Sequence, residues 1–336
     1  MHAARLHSFG PAENLTYERT EDPLPAPGQV RIAVAAAGVH LIDTAFREGL
    51  EGGPVTRLEL PVTLGREVAG TVESLGEGVD PALLGTRVVA HLGGHPGGYA
   101  ELAVVDAARL HSIPENLDAA EAVAMIGTGR TAMGIVQFAD LNAESVAIVP
   151  AAAGGIGTLL VQYAKNLGAT VIGLAGGPAK VARVKENGAD LAVDYTLPNW
   201  PEEARRFLDG IAQQATVVFD SVGGPTGLAA VDLLGPGGRH LAFGHSSQGL
   251  REGTPLTFPA AYLAERGITS RSVLGPVMLQ QTGGPDPLRT LETQALTEAA
   301  TGRLHPAVHR FPLSEAASAH RALENRGTVG KVVLVP

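Results

Sequence analysis

Between residues 145 and 274, short apolar runs alternate with longer amphipathic stretches, and no other feature limits the fold as much. The runs at 145–149, 170–174, 191–194, 216–220, 239–243 and 269–274 read as strands. The stretches at 155–167, 179–187, 201–213 and 226–234 read as helices. The runs are apolar nearly throughout rather than at every second residue, so both faces of their sheet need cover. Strands separated by helices lie parallel, because each crossover lays its helix on a sheet face. The expectation for this stretch is a doubly wound α/β domain.

The first strand–helix junction reads Val-Pro-Ala-Ala-Ala-Gly-Gly-Ile-Gly, with Ala152, Gly154 and Gly157 at the three small-residue positions of a dinucleotide fingerprint. Small residues are needed there because the backbone must turn tightly and approach a pyrophosphate. The helix must then pack closely on the strand. The free N–H groups at the helix start, with the positive end of its dipole, suit phosphate. Glycines at this spacing also make ordinary turns. Here they follow a buried strand and precede further strand–helix units, which points to a bound dinucleotide held at Ala153, Gly154, Gly155, Ile156 and Gly157. Residues 145–164 carry no charge and are long enough to span a bilayer, but Pro150, Gly154, Gly155 and Gly157 interrupt them. A strand, a turn and a helix explain the segment better.

The 336 residues suit two domains. Residues 1–120 carry short apolar runs at 30–37, 67–75, 87–91 and 101–105 between Gly/Pro turns, the pattern of a barrel-like β unit. Helices are expected from Asp118 and over 131–139, then at 287–301 and 314–324, the last capped by Ser314. Strands at 309–311 and 331–335 close the chain. The final strand is expected to rejoin the N-terminal unit, since an apolar strand needs a sheet. The domains expected are therefore 1–120, 121–275 and a return at 276–336. With 25 basic against 34 acidic residues and no basic cluster, nucleic acid and anionic membrane are poor partners. No cysteine is present, which excludes disulfides, thiolate-bound metal and thiol nucleophiles. The N-terminus lacks the apolar core of a signal peptide, so a cytoplasmic location is expected.

The turn at 151–157 resembles the Ala-Ala-x-Gly-Gly-Val-Gly turn of zinc-free medium-chain dehydrogenases/reductases. Val161-Gln162-Tyr163-Ala164-Lys165 and Leu167-Gly168-Ala169 extend the likeness. So do Gly38-Val39 with Ile42-Asp43, Leu64-Gly65-Arg66-Glu67 with Gly70, and Gly98-Tyr99-Ala100-Glu101. Thr131-Ala132, Asn187-Gly188-Ala189-Asp190, Asp220-Ser221-Val222-Gly223 and Phe243-Gly244 follow. As an ordered set spanning the chain, these are similar to the quinone oxidoreductase (zeta-crystallin-like) family. The resemblance implies a GroES-like β-barrel catalytic domain and a Rossmann domain, with the nicotinamide held in a cleft between them. It implies a homodimer paired through the last Rossmann strand, here 269–274. It also implies hydride transfer from NADPH to a quinone or an activated enone or enal, without metal.

The resemblance places His40, Asp43 and Thr131 near the nicotinamide or acceptor, and Gly176, Lys180, Tyr195 and Ser246 at the cofactor. Each has a plainer alternative: a structural histidine, a local backbone organiser at Asp43, a helix cap at Thr131, a solvated lysine, a turn serine. His40 stands where relatives carry Asn, and Ala45 where they often carry Tyr; residues 50–54 lack a usual Tyr-Pro. Arg130 replaces a common leucine. Asp220 is expected to organise its loop. The strand ending at residue 174 carries no acid, and Lys180 follows, so NADPH is expected over NADH. No indispensable general acid is expected. Two rivals stand beside this assignment. One is a zinc alcohol dehydrogenase using His40, His91 and Glu67, disfavoured by Arg66 where zinc-dependent relatives carry a ligand. The other is a non-catalytic NADPH-binding, redox-sensing dimer.

Overall fold

A computed structural model describes residues 1–50, 58–248 and 254–336. Positions 51–54, where a Tyr-Pro was expected to be missing, lie outside the described residues. The described chain divides into two compact units. The first comprises Met1–Gly129, Glu292–Ala300 and Pro306–Pro336; the second comprises Arg130–Leu291 and Thr301–His305.

The first unit opens with β1 (His2–Leu6), β2 (Leu15–Arg19) and β3 (Gln29–Val39), followed by helix α1 (Leu41–Arg47). Then come β4 (Val62–Thr63), β5 (Glu67–Leu75), β6 (Arg87–His91), β7 (Leu102–Asp106), β8 (His111–Ser112) and helix α2 (Ala119–Ala124). The strands expected over 67–75 and 87–91 carry those same bounds. β1, β2, α1, β4 and β8 are additions to the expected elements. Val30, Ile32 and Val34 alternate inward along β3, the period of a strand with one face in the core. They pack with Leu6, Val68, Val72, Val88 and Leu334 in one cluster.

A π turn at Met125–Gly129 joins α2 to α3 (Arg130–Val136), so residues 119–136 form one continuous helical run rather than two helices. Thr131 is the second residue of α3 and its chain is already helical before it. The expected capping role at Thr131 is therefore replaced by an interior position.

The second unit runs through β9 (Val146–Val149), α4 (Gly155–Asn166), β10 (Thr170–Ala175), α5 (Pro178–Glu186) and β11 (Leu191–Asp194). It continues with α6 (Trp200–Gly210), β12 (Ala215–Asp220), α7 (Gly224–Val231), β13 (Leu234–Ala242), α8 (Ala260–Arg266), β14 (Thr269–Ser272) and α9 (Pro276–Thr282). All six strands are parallel, in the order β11-β10-β9-β12-β13-β14. This is the doubly wound arrangement expected. The order reverses between β9 and β12, and ligands of such sheets bind beyond the strand ends at that switch point. Val146, Ile148, Ile172, Leu174 and Val218 are fully buried, as strands covered on both faces require.

The tail carries α10 (Pro287–Ala300), β15 (Val308–Pro312), α11 (Ala316–Glu324) and β16 (Lys331–Val335). β16 pairs antiparallel with β3, matching Val332 to Val39, so the last strand does rejoin the first unit. Ser314 does not cap the helix there. It lies inside a 3-10 turn, Leu313–Glu315, and α11 starts after Glu315 without a side-chain cap. The 3-10 turn moves the helix start past Ser314, so Glu315 and not Ser314 stands at the cap position.

Candidate functional site

In the barrel unit, the turn from β3 into α1 sets His40 and Asp43 side by side. The His40 N–H donates to Asp43 Oδ2 at 2.9 Å, which satisfies an amide at the helix entrance. Tyr99 Oη donates to the same oxygen at 3.0 Å and lies 3.1 Å from His320 Nε2. Arg47, itself buried, lies 3.5 Å from His320 Nδ1 and donates to Glu324 Oε1 at 2.6 Å. Asp43 thus ties the helix entrance to Tyr99. Burial holds the His320 imidazole down to about 4, so the ring is neutral at neutral pH. Burial, with Asp43 beside it, pushes the Tyr99 phenol well above its ordinary range.

The His40 ring turns its Nε2 inward. It lies 2.5 Å from Glu67 Oε1 and 2.8 Å from Lys331 Nζ, and Lys331 Nζ lies 3.0 Å from Glu67 Oε2. Glu67 has no exposed surface and Lys331 has almost none. Burial alone would raise the Glu67 carboxyl, but His40 and then Lys331 outweigh it and hold the group well below the carboxylate range. Burial lowers the Lys331 ammonium, against the pull of Glu67. Neither Glu67 oxygen has a well-aligned hydrogen bond, so its contact with the Lys331 ammonium is charge–charge in character. Space for the carboxylate depends on Gly127. A Cβ there would stand 1.4 Å from Glu67 Oε1, so any side chain would displace the charge.

This arrangement bears on zinc. Lys331 is a fixed cation against both His40 and Glu67, and Arg66 adds a second one beside Asp43. Among the described residues, no group of three or more His, Asp or Glu side chains is arranged to hold a metal ion. The side chains present do not fit a zinc site at His40, His91 and Glu67. Ala45 is buried in α1. Lys331, Tyr99 and His320 are absent from the site residues expected from sequence, and Glu67 enters there only as a ligand of the zinc rival. Their signal was weak: Lys331 stands nearly three hundred residues from His40, and only strand pairing brings β16 beside β3.

In the second unit, β9 leads into α4 at the switch point. Gly154 precedes the helix, and Gly155, Ile156 and Gly157 form its first turn, whose amides have no intrahelical partner. A Cβ on Gly157 would come 2.3 Å from Ala151 O, so only glycine lets the helix pack this closely on the turn. Ala153 is buried beneath it. β10 ends at Ala175 without a carboxylate, followed by Gly176 and Gly177. The Tyr195 hydroxyl is 3.2 Å from the place where a side chain on Gly176 would begin. Lys180 is half-buried in the first turn of α5. The structure therefore brings Gly176, Tyr195 and the start of α5 to one end of the sheet.

Asp194, at the end of β11, is a carboxylate beside this corner, and it was not expected. Hydrogen bonds from Thr196, then from the Gly177 amide, hold its carboxyl below the ordinary value. Asp220 accepts the Val222 and Gly223 amides at 2.9 and 2.8 Å and touches buried His240, so it organises its loop as expected. Ser246 Oγ donates to Ser221 O at 3.1 Å, which ties the loop after β13 to the loop after β12. A 12-residue helix at the switch point, a glycine that its packing requires and a β10 end free of acid fit a dinucleotide carrying a 2′-phosphate.

Residues 26–115 match the family described as Alcohol dehydrogenase GroES-like domain, and residues 155–282 match the one described as Zinc-binding dehydrogenase. A quinone oxidoreductase of Pseudomonas aeruginosa is 33% identical over 331 residues, covering 98% of each chain. A 2-haloacrylate reductase of a Burkholderia species is 30% identical over 340 residues, covering 99% of this chain and 98% of the relative. The crystal structure of Escherichia coli quinone oxidoreductase complexed with NADPH aligns over 100% of both chains, with a TM-score of 0.84 at 27% identity.

Proposed function

The chain belongs to the quinone oxidoreductase family of medium-chain dehydrogenases/reductases, and on that premise we propose that it reduces a quinone, or an activated enone or enal, with NADPH and without metal. The observation that carries this reading is the Lys331 ammonium set against His40 and Glu67. It gives the barrel site a built-in cation in the region where a zinc enzyme needs ligands. NADPH, when bound, supplies the hydride. The amides of Gly155, Ile156 and Gly157 receive its pyrophosphate, and Lys180 with Tyr195 receives the 2′-phosphate. Thr131 and Ser246 contact the cofactor, and His40 borders the acceptor. His40 Nε2 already faces Glu67 and Lys331, so solvent supplies the product proton. The NADPH-complexed E. coli structure supports the cofactor, and the named activities of the two relatives support the acceptor class.

The test is NADPH oxidation across a panel of quinones, enals and cyclic enones, with and without a strong chelator. Turnover of at least one class, unchanged by chelator, is expected. Cofactor binding without oxidation by any acceptor, or loss of rate on chelation together with stoichiometric zinc, overturns the assignment.

A further inference from the structure

Arg66 is the residue that the proposed reaction leaves unexplained. It stands between β4 and β5, where Leu92 N–H donates to its carbonyl at 2.7 Å and fixes the backbone. Its guanidinium lies 5.5 Å from the centroid of the Phe46 ring, which orients the group. Yet Nε is buried without a hydrogen-bond partner. The nearest carboxylate oxygen, Asp43 Oδ1, is 3.9 Å away, too far for a hydrogen bond.

Of the neighbouring acids, only Asp43 Oδ1 faces Arg66, at ion-pair distance, and the other oxygens are engaged elsewhere. Asp43 Oδ2 takes the His40 amide and the Tyr99 hydroxyl, and Glu67 faces His40 and Lys331. Among the described residues, then, no acceptor lies within hydrogen-bond distance of the buried Arg66 Nε. The side chain keeps 15% of its surface open, so a ligand can reach it. An oriented, partly desolvated guanidinium with an unmatched buried donor is costly unless something accepts from it. A carboxylate matches its planar fork with two parallel hydrogen bonds.

We propose that Arg66 receives the carboxylate of the acceptor, so that the preferred substrate is an anionic α,β-unsaturated carbonyl compound, a carboxylate-bearing enone. The inference rests on the reductase assignment above and narrows its substrate class. With trans-4-oxo-2-pentenoate as probe, hydride adds to C2, and the alkene pair shifts to form the enolate of the C4 ketone. A solvent proton then adds at C3, giving 4-oxopentanoate and oxidised cofactor. Arg66 holds the C1 carboxylate throughout and takes no part in proton transfer. It is a specificity-determining residue, in a barrel site that already carries Lys331 as a second cation.

The experiment compares trans-4-oxo-2-pentenoate with its methyl ester, which keeps the enone and loses the charge. The acid is expected to have the lower KM in the unaltered protein. Arg66→Met should raise the KM of the acid by about 10- to 100-fold, the value of a charge-assisted hydrogen bond or two, and that of the ester by less than about threefold. Arg66→Lys, which keeps the charge but not the fork, should fall between. NADPH affinity, from quenching of protein fluorescence, should be unchanged in both variants. Calorimetric titration of 4-oxopentanoate into protein saturated with oxidised cofactor should show binding that Arg66→Met abolishes. Acid and ester with equal KM, or an equal response of both to the substitution, overturns the proposal. So does a matching loss of NADPH affinity, which would assign the guanidinium to a cofactor phosphate. If neither compound is reduced, the titration still decides: Arg66-dependent binding supports the carboxylate site and no binding ends it. Failure of the reductase assignment itself would show separately, as no oxidation of NADPH by any neutral quinone or enone.

Discussion

Glu67 has no exposed surface, and its carboxylate is held there because the Lys331 ammonium and the His40 ring face it from other parts of the chain. Removing one partner of a buried pair leaves the other desolvated and uncompensated, at a cost of about 3–5 kcal/mol. Lys331→Met should therefore lower the melting temperature clearly, toward the smaller end of that cost because His40 remains beside Glu67. The double variant Glu67→Gln/Lys331→Met should recover part of the loss. Calorimetry on the three variants checks this; a double variant no better than the single one would show that the two residues are not coupled. His320 gives a pH dependence. Its folded-state value of about 4 lies below the unfolded 6.5, so the unfolded chain binds the proton more readily. Stability from this group is complete above about pH 6.5 and is lost as pH falls toward 4. The shift corresponds to about 3 kcal/mol at most. His320→Gln should lose less stability than the parent between pH 7 and pH 4.5, and equal losses would show that His320 is not the group responsible.

At the scale of elements, the proposed cofactor choice rests on the β10–α5 junction. A carboxylate at the end of the second strand would bind a 2′-hydroxyl and repel a 2′-phosphate. Here Ala175 and Gly176 stand at that place, with Tyr195 across from Gly176 and Lys180 one helical turn on. Lys180→Ala should weaken NADPH binding about ten- to a hundredfold and leave NADH nearly unchanged. Equal losses for both cofactors would remove Lys180 from the phosphate site. The start of α4 is more constrained still. Gly157→Val must push the helix away from Ala151, which should cost cofactor affinity and stability together, measured by fluorescence titration and thermal unfolding.

For the whole molecule, the second unit's sheet ends at β14, which pairs with β13 on one side and, among the described residues, with no strand on the other. An open edge of this kind offers a row of unpaired backbone groups to another strand. The family resemblance places a second copy there, and we expect a homodimer joined through β14. Sedimentation or light scattering should give about twice 34.5 kDa; a monomer at all working concentrations would refute the pairing. No helix among the described residues is long and apolar enough to cross a membrane, and the uncharged stretch at 145–164 resolves into β9, a turn and α4.

The sequence by itself determined the doubly wound sheet, because apolar strands four to six residues long with helices between them have one way to bury both faces. It determined the glycine turn and the acid-free strand end, since both are local: the residues that shape the turn are the residues of the turn. It also determined that β16 must find a sheet, through its apolar run. Only the tertiary structure decided what surrounds His40. Glu67 and Lys331 come from β5 and β16, and each read alone is an ordinary charge at a strand start. Helix α1 escaped notice because its seven residues are too few to show a period, and its start is fixed by Asp43 reaching back to the His40 amide. The joined helix at 119–136 depends on a π turn, which no apolar spacing announces. Arg66 looked in sequence like a missing metal ligand. Its buried Nε, with no hydrogen-bond acceptor in reach, became visible only once Asp43 Oδ2 and Glu67 were placed against other partners.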